Sequence, residues 1–185
     1  MFIIKSYIQN PNIPVFDLEK LKKNPLHYFI DINNADKILH IKNDLDLNYI
    51  EGAIYLTYNN QVILDFGTYD LIDHLWAYFL NMIEEFIQNK KYAEMDFPDS
   101  SVQMTMKDIK NQYILFSIKK HIVSEWKLPK YEFLNTLLFE AKDFFEKMIL
   151  LIEEKNNSYQ VQLKKIKLLK QKINDLKKVH KAPKI

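Results

Sequence analysis

Between residues 53 and 91 the apolar residues change their period, and that switch limits the fold more than any other feature of the chain. Ile54, Leu56 and Tyr58 alternate with their neighbours, as do Val62, Leu64 and Phe66, which is the spacing of half-buried strands. Asn59 and Asn60 lie between the two runs, and Asn is the best residue after Gly for the positive φ angles of a two-residue hairpin turn. Gly67 then ends the second run. Beyond Asp70 the steps become three and four: Leu71, Leu75, Phe79, Met82 and Phe86, with Ile72, Trp76, Ile83 and Ile87 widening the same face. The spacing predicts a hairpin followed by one long amphipathic helix to about Lys91, opened by Asp70 with Asp73 in its first turn.

The switch occurs a second time. Val102, Met104 and Met106 alternate, a turn is expected over Asp108 to Gln112, and Tyr113 to Ile118 is the natural hairpin partner. After Pro129 a second helix is expected from about Lys130 to Glu154, burying Phe133, Leu137, Ala141, Phe144, Met148 and Leu151. The stretch from Met95 to Ser101 reads as loop. Hairpins alternating with single long helices indicate an α+β fold, an antiparallel sheet packed on long amphipathic helices.

The first 50 residues carry weaker patterns. Phe2 to Ile8 reads as a strand ended at Gln9, Asn10 and Pro11. Val15 to Lys23 reads as a short helix with Leu18 and Leu21 on one side, and Phe29 to Ile32 and Lys37 to Ile41 as short strands. At the other end, Asn156, Asn157 and Ser158 suggest a break. Tyr159, Leu163, Ile166, Leu169, Ile173 and Leu176 then return to helical spacing, and Pro183 discourages continuation. The chain thus divides into one α+β domain over 1–154 and a basic amphipathic helical tail over 155–185.

That tail carries most of the chain's charge asymmetry. Residues 1–154 hold 16 Lys against 23 Asp and Glu, a net of −7, and residues 155–185 hold 10 Lys against Asp175 alone, a net of +9. An acidic body with a basic tail points to charged partners and says little about fold. A Lys-rich helix of this length is marginal alone, so its apolar stripe needs cover. The expectation is that 159–177 is helical, with Ile166 and Ile173 against protein and Lys164, Lys165 and Lys172 toward solvent. Docking on the body or on a second copy is one reading of the tail. Binding to nucleic acid through Lys164, Lys165, Lys167, Lys170 and Lys172, or to an anionic membrane, are the others.

Composition excludes several chemistries. The 185 residues are 48% hydrophobic and 14% aromatic, ample for one core. Two glycines, Gly52 and Gly67, are too few for a Gly-rich phosphate loop. The absence of Cys removes disulfides, thiol nucleophiles and thiolate metal sites. All 26 basic residues are Lys, which lacks the bidentate fork that reads guanine or clamps phosphate. No secretory signal and no apolar run of about 18 residues is visible, so the chain reads as cytoplasmic.

Candidate sites are few. Asp70 and His74 are spaced to share a helix face and offer two metal ligands, although helix capping by Asp70 accounts for the spacing as well. The other histidines, His27, His40, His121 and His180, show no ligand spacing. Glu84 and Glu85 are adjacent on the helix and point about 100° apart, which suits surface charge better than an acid/base dyad. Asp65 and Asp70 could converge at one end of the sheet, although ordinary turn chemistry accounts for both residues as well. No nucleophile elbow, kinase set or zinc-protease helix is present. The expectation is a non-enzymatic binding protein without cofactor or metal, contacting a protein partner through Asp65, Asp70, Asp73, Glu84 and Glu85, with a homodimer left open.

The central block adds a resemblance. Gly52 to Tyr58 (GAIYLTY), Ile63 to Phe66 (ILDF) and Asp70 to Phe79 (DLIDHLWAYF) are similar to small bacterial toxin-immunity proteins, the inhibitors encoded beside polymorphic or contact-dependent toxins. The resemblance covers about residues 50 to 120 and implies inhibition of a partner toxin by direct binding. An acidic body fits a basic toxin domain, since complementary charge speeds capture. The alternative is a nucleic-acid-associated protein acting through the Lys-rich tail.

Overall fold

In the computed structural model, which describes residues 1–89, 92–110 and 112–181, both expected hairpins are present, and each lies in its own antiparallel sheet. The first sheet is built around β1 (Phe2–Gln9) and β3 (Glu51–Tyr58), which pair from Phe2 opposite Tyr58 to Ile8 opposite Gly52. β2 (Phe29–Asp31) borders β1 on its other side. β4 (Gln61–Leu64) and the two-residue β5 (Asp70–Leu71) share the far edge of β3. The β3–β4 turn is Asn59-Asn60, with φ of 49° and 65°, the left-handed conformation that Asn accepts. A bulge between Leu56 and Thr57 breaks the alternation expected of β4, so Ile63 and Leu64 are both buried while Val62 is exposed.

The second sheet is a meander of β6 (Tyr92–Asp96), β7 (Gln103–Ile109), β8 (Tyr113–Lys119) and β9 (Val123–Pro129). Only its central hairpin has a clear sequence signal. Met95 and Asp96, expected in a loop, pair with Met104 and Gln103. The alternation of β6 rests on Ala93 and Met95 alone, too little apolar pattern to recognise.

Three long helices cover these sheets. α4 (Ile72–Asn89) buries every residue of both expected rows that it contains, and Leu80 besides. α5 (Lys130–Leu151) buries all six expected positions. Its Phe133 ring packs 5.3 Å from Phe2 of the first sheet and 5.2 Å from Phe116 of the second, which joins both to one core. The Trp76 Nε1–H donates to Ser6 Oγ at 3.0 Å, satisfying the one polar atom of a fully buried ring. α6 (Asn156–Lys181) packs on α4 and α5, with Tyr159, Ile166, Leu169 and Ile173 in the same apolar cluster. Among the described residues no helix is long and apolar enough to cross a membrane.

Three short helices lie before β3: α1 (Leu18–Lys23), α2 (Pro25–Tyr28) and α3 (Ala35–Ile41). In α1, Leu21 is buried but Leu18 is exposed, not on the same covered side as expected. Residues 37–41, expected as a strand, form α3 instead. The Asn34 side chain caps it by accepting from Lys37 N, and Ile38 and Ile41 bury at helical spacing. Asp70 does not open α4. It pairs with Gly52 in β5, and the helix begins two residues later. The break before α6 falls over Ile152 to Lys155, upstream of the expected Asn156 to Ser158, because Asn156 already belongs to the helix. Pro183 lies outside the described residues.

Candidate functional site: an acid-lined groove between α4 and β6

The five acidic candidates do not gather into one site. Asp65 caps the turn at Phe66–Thr68 by accepting from Gly67 N at 2.9 Å, beside Lys22 on the outer face of the first sheet. Asp70 is 5% exposed, and its Oδ1 accepts from Leu71 N and Asp99 N. Its Oδ2 is buried with no hydrogen-bond partner among the described residues. Glu51 lies near Asp70 and Asp99, and burial, then the charges of Asp99 and Asp70, raise its carboxyl pKa above the usual value.

Asp73 and Glu84 are engaged by the chain's own tail. Asp73 is 4% exposed, and its Oδ2 accepts from Lys155 Nζ at 2.9 Å and Tyr159 Oη at 3.2 Å. Burial, and then the Asp73 carboxylate, push the Tyr159 phenol well above its ordinary pKa, so it remains a donor. Glu84 pairs with Lys165 at 2.6 Å and Lys172 at 3.5 Å, and Lys165 also donates to Asn81. Lys165, expected to face solvent, is instead half-buried against α4, whereas Lys172 reaches Glu84 while staying exposed as expected. Lys164, Lys167 and Lys170 are exposed. Asp70 and His74 do not form a ligand pair, since Asp70 is buried in β5 and His74 is exposed on α4. Among the described residues no group of three or more His, Asp or Glu is arranged to hold a metal ion.

Glu85 is the remaining candidate, and it stands in a different setting. Where the C-terminal half of α4 meets β6, Tyr78, Asn81, Met82, Glu85, Glu94, Met95, Asp96, Phe97 and Pro98 line an open groove of about 400 Å³. The alternation of β6 puts Glu94 and Asp96 outward while Ala93 and Met95 face the core. The helical step from Met82 to Glu85 carries α4 from its buried to its exposed side. The result is three carboxylates around a floor of Met82, Met95 and Phe97, with Tyr78 partly exposed at the rim. None of the described lining residues is basic. Such a surface suits a partner presenting lysine or arginine around an apolar contact, since aromatic and Met side chains supply area and the rim charges supply steering. Sequence reading missed Glu94 and Asp96 because β6 itself was not legible. Comparison with family models, curated proteins and solved structures finds no match.

Proposed function

We propose that this chain is a non-enzymatic inhibitor of the immunity type, which blocks a basic partner protein by direct contact through the groove between α4 and β6. The observation that carries this reading is the convergence of Glu85, Glu94 and Asp96 around an apolar floor. The resemblance of about residues 50 to 120 to toxin-immunity proteins and the net −7 of residues 1–154 support it. The engagement of Asp73 and Glu84 with lysines of α6 moves the contact away from those two residues, toward Glu85 and β6.

The test is a growth assay in which each gene adjacent to that of this protein is induced with and without the chain. Relief of arrest by the native chain, lost in the Glu85→Lys/Glu94→Lys/Asp96→Lys variant, is the expected result. Relief by both proteins would place the contact elsewhere. Arrest that neither relieves, or no arrest from any neighbour, would remove the inhibitor reading.

A nucleic-acid role is the second reading, favoured by the exposure of Lys164, Lys167 and Lys170 on one helix. It predicts a gel shift that weakens steeply between about 50 and 200 mM salt and disappears when those three lysines are changed to Gln. A chain ending at Glu154 is unsuitable for this comparison, because it would strip Tyr159, Ile166, Leu169 and Ile173 from the core.

A further inference from the structure

β9 pairs with β8 along one side, and no described strand pairs with its other side. The phase of the β8–β9 ladder shows which backbone groups are left over. Lys120 N donates to Ile122 O at one end, and Lys130 N donates to Gln112 O at the other. With Phe116 opposite Trp126 between them, the even-numbered residues Ser124, Trp126 and Leu128 turn their N–H and C=O groups toward β8. Val123, Glu125 and Lys127 therefore present both groups outward, and Pro129 presents a carbonyl without an orphan N–H. Most of this edge is exposed among the described residues. Val123 is 53% exposed, Ile122 before it 79%, and Ser124, Glu125 and Lys127 are also exposed.

We propose that two copies of this protein associate through β9, antiparallel about a twofold axis at Trp126, so that two four-stranded sheets become one of eight strands. Charge selects both the occupant and the register. A twofold pairing has to match outward residues with outward residues, and of the centres this permits, Glu125, Trp126 and Lys127 are the ones that keep most of the strand paired. Centring on Glu125 sets that residue against its own copy, and centring on Lys127 does the same for lysine. Like charges directly opposite are destabilising. Centring on Trp126 instead sets Glu125 against Lys127 of the partner subunit, twice by symmetry. Charged residues ordinarily guard a sheet edge against pairing. Here the alternating signs repel in two registers and attract in the third.

The side chains are already placed for this. Glu125 accepts from Ser117 Oγ at 3.1 Å and Lys127 Nζ lies 4.4 Å from the Tyr113 ring centre, which holds both along the outward face of the sheet. On the opposite face the half-buried Trp126 would meet its own copy at a non-hydrogen-bonded position, where facing side chains approach most closely. That contact would cover apolar area left open in the monomer.

Sedimentation velocity of the full chain over a concentration series tests the proposal. A reversible dimer is expected. Glu125→Lys should raise its dissociation constant about tenfold or more, by turning two attractions into two repulsions. Lys127→Pro should abolish it, since the altered N–H points away from β8 and the β8–β9 ladder loses nothing. The Glu125→Lys/Lys127→Glu double variant should restore the dimer, which separates a lost interface from a damaged fold. A chain monomeric at every soluble concentration would overturn the proposal. So would a dimer indifferent to the single changes, or one not restored by the double swap.

Discussion

At the residue scale, Asp73 shows how much one buried carboxylate depends on its neighbours. Its Oδ1 accepts from His74 N, while Lys155 and Tyr159 satisfy Oδ2. Removing one partner of a buried pair leaves a charge without compensation, which commonly costs about 3–5 kcal/mol. Lys155→Met should therefore destabilise the protein by about 3 kcal/mol in urea unfolding, and Asp73→Asn in the same chain should recover a large part of that loss. Equal destabilisation in the single and double variants would show that the pair is unimportant. Gly52 is constrained by space instead of charge. A Cβ there would collide with the Tyr7 carbonyl oxygen and the Ile72 side chain, so Gly52→Ala should cost about 1–3 kcal/mol by overpacking. Neither constraint is visible in sequence. The partner of Asp73 lies 82 positions away, and nothing in the spacing around Gly52 marks the close approach of the Tyr7 backbone.

At the element scale, legibility follows the amount of apolar pattern each segment carries. α4, α5 and α6 repeat buried residues over several turns, so their faces are legible in the sequence. α3 presents a single turn of pattern, and only the Asn34 cap distinguishes it from a strand. β6 and β9 are edge strands, and β9 exposes its first three residues, so the alternation that marks a half-buried strand is diluted. The groove inherited that uncertainty, because two of its three carboxylates lie on β6. The clasp between α6 and α4 adds a pH-dependent element. Hydrogen bonding from Lys165, and the charges of Lys165 and Lys172, hold the Glu84 carboxyl below its ordinary pKa against the opposing effect of partial burial. A depressed acid contributes stability above its unfolded pKa of about 4.3, and that contribution is lost as pH falls through the lower folded value. Because Glu84 is about a third exposed, solvent screening limits the contribution to about 1 kcal/mol or less. The stability difference between the native chain and Glu84→Gln should thus be constant near neutral pH and shrink toward zero below about pH 4. A difference unchanged in acid would separate the clasp from Glu84 ionisation.

At the scale of the whole molecule, the question is whether the tail is an appendage or part of the core. Composition divides the chain at residue 154, since charge changes sign there, but packing does not follow that division. Tyr159, Ile166, Leu169 and Ile173 are each at most 3% exposed and share one apolar cluster with α4, α5 and both sheets. Removing residues 155–185 would uncover that seam on α4 and α5 and take from Asp73 both partners of its Oδ2. Losing one fully buried Leu or Ile side chain to Ala typically costs about 2–5 kcal/mol, and here several go together. Whole-domain stabilities are only about 5–15 kcal/mol, so the truncated chain should not retain a cooperative native state. A protein ending at Glu154 should bind a hydrophobic dye and unfold without a sharp transition. A synthetic peptide of residues 155–185 should restore cooperativity in trans, because the −7 body and the +9 peptide attract one another. That restoration should weaken as salt rises past about 0.1 M, where the screening length falls to roughly 10 Å. A truncated chain that unfolds sharply at the same midpoint as the full protein would show the tail to be an independent arm, and the nucleic-acid reading would then gain the most.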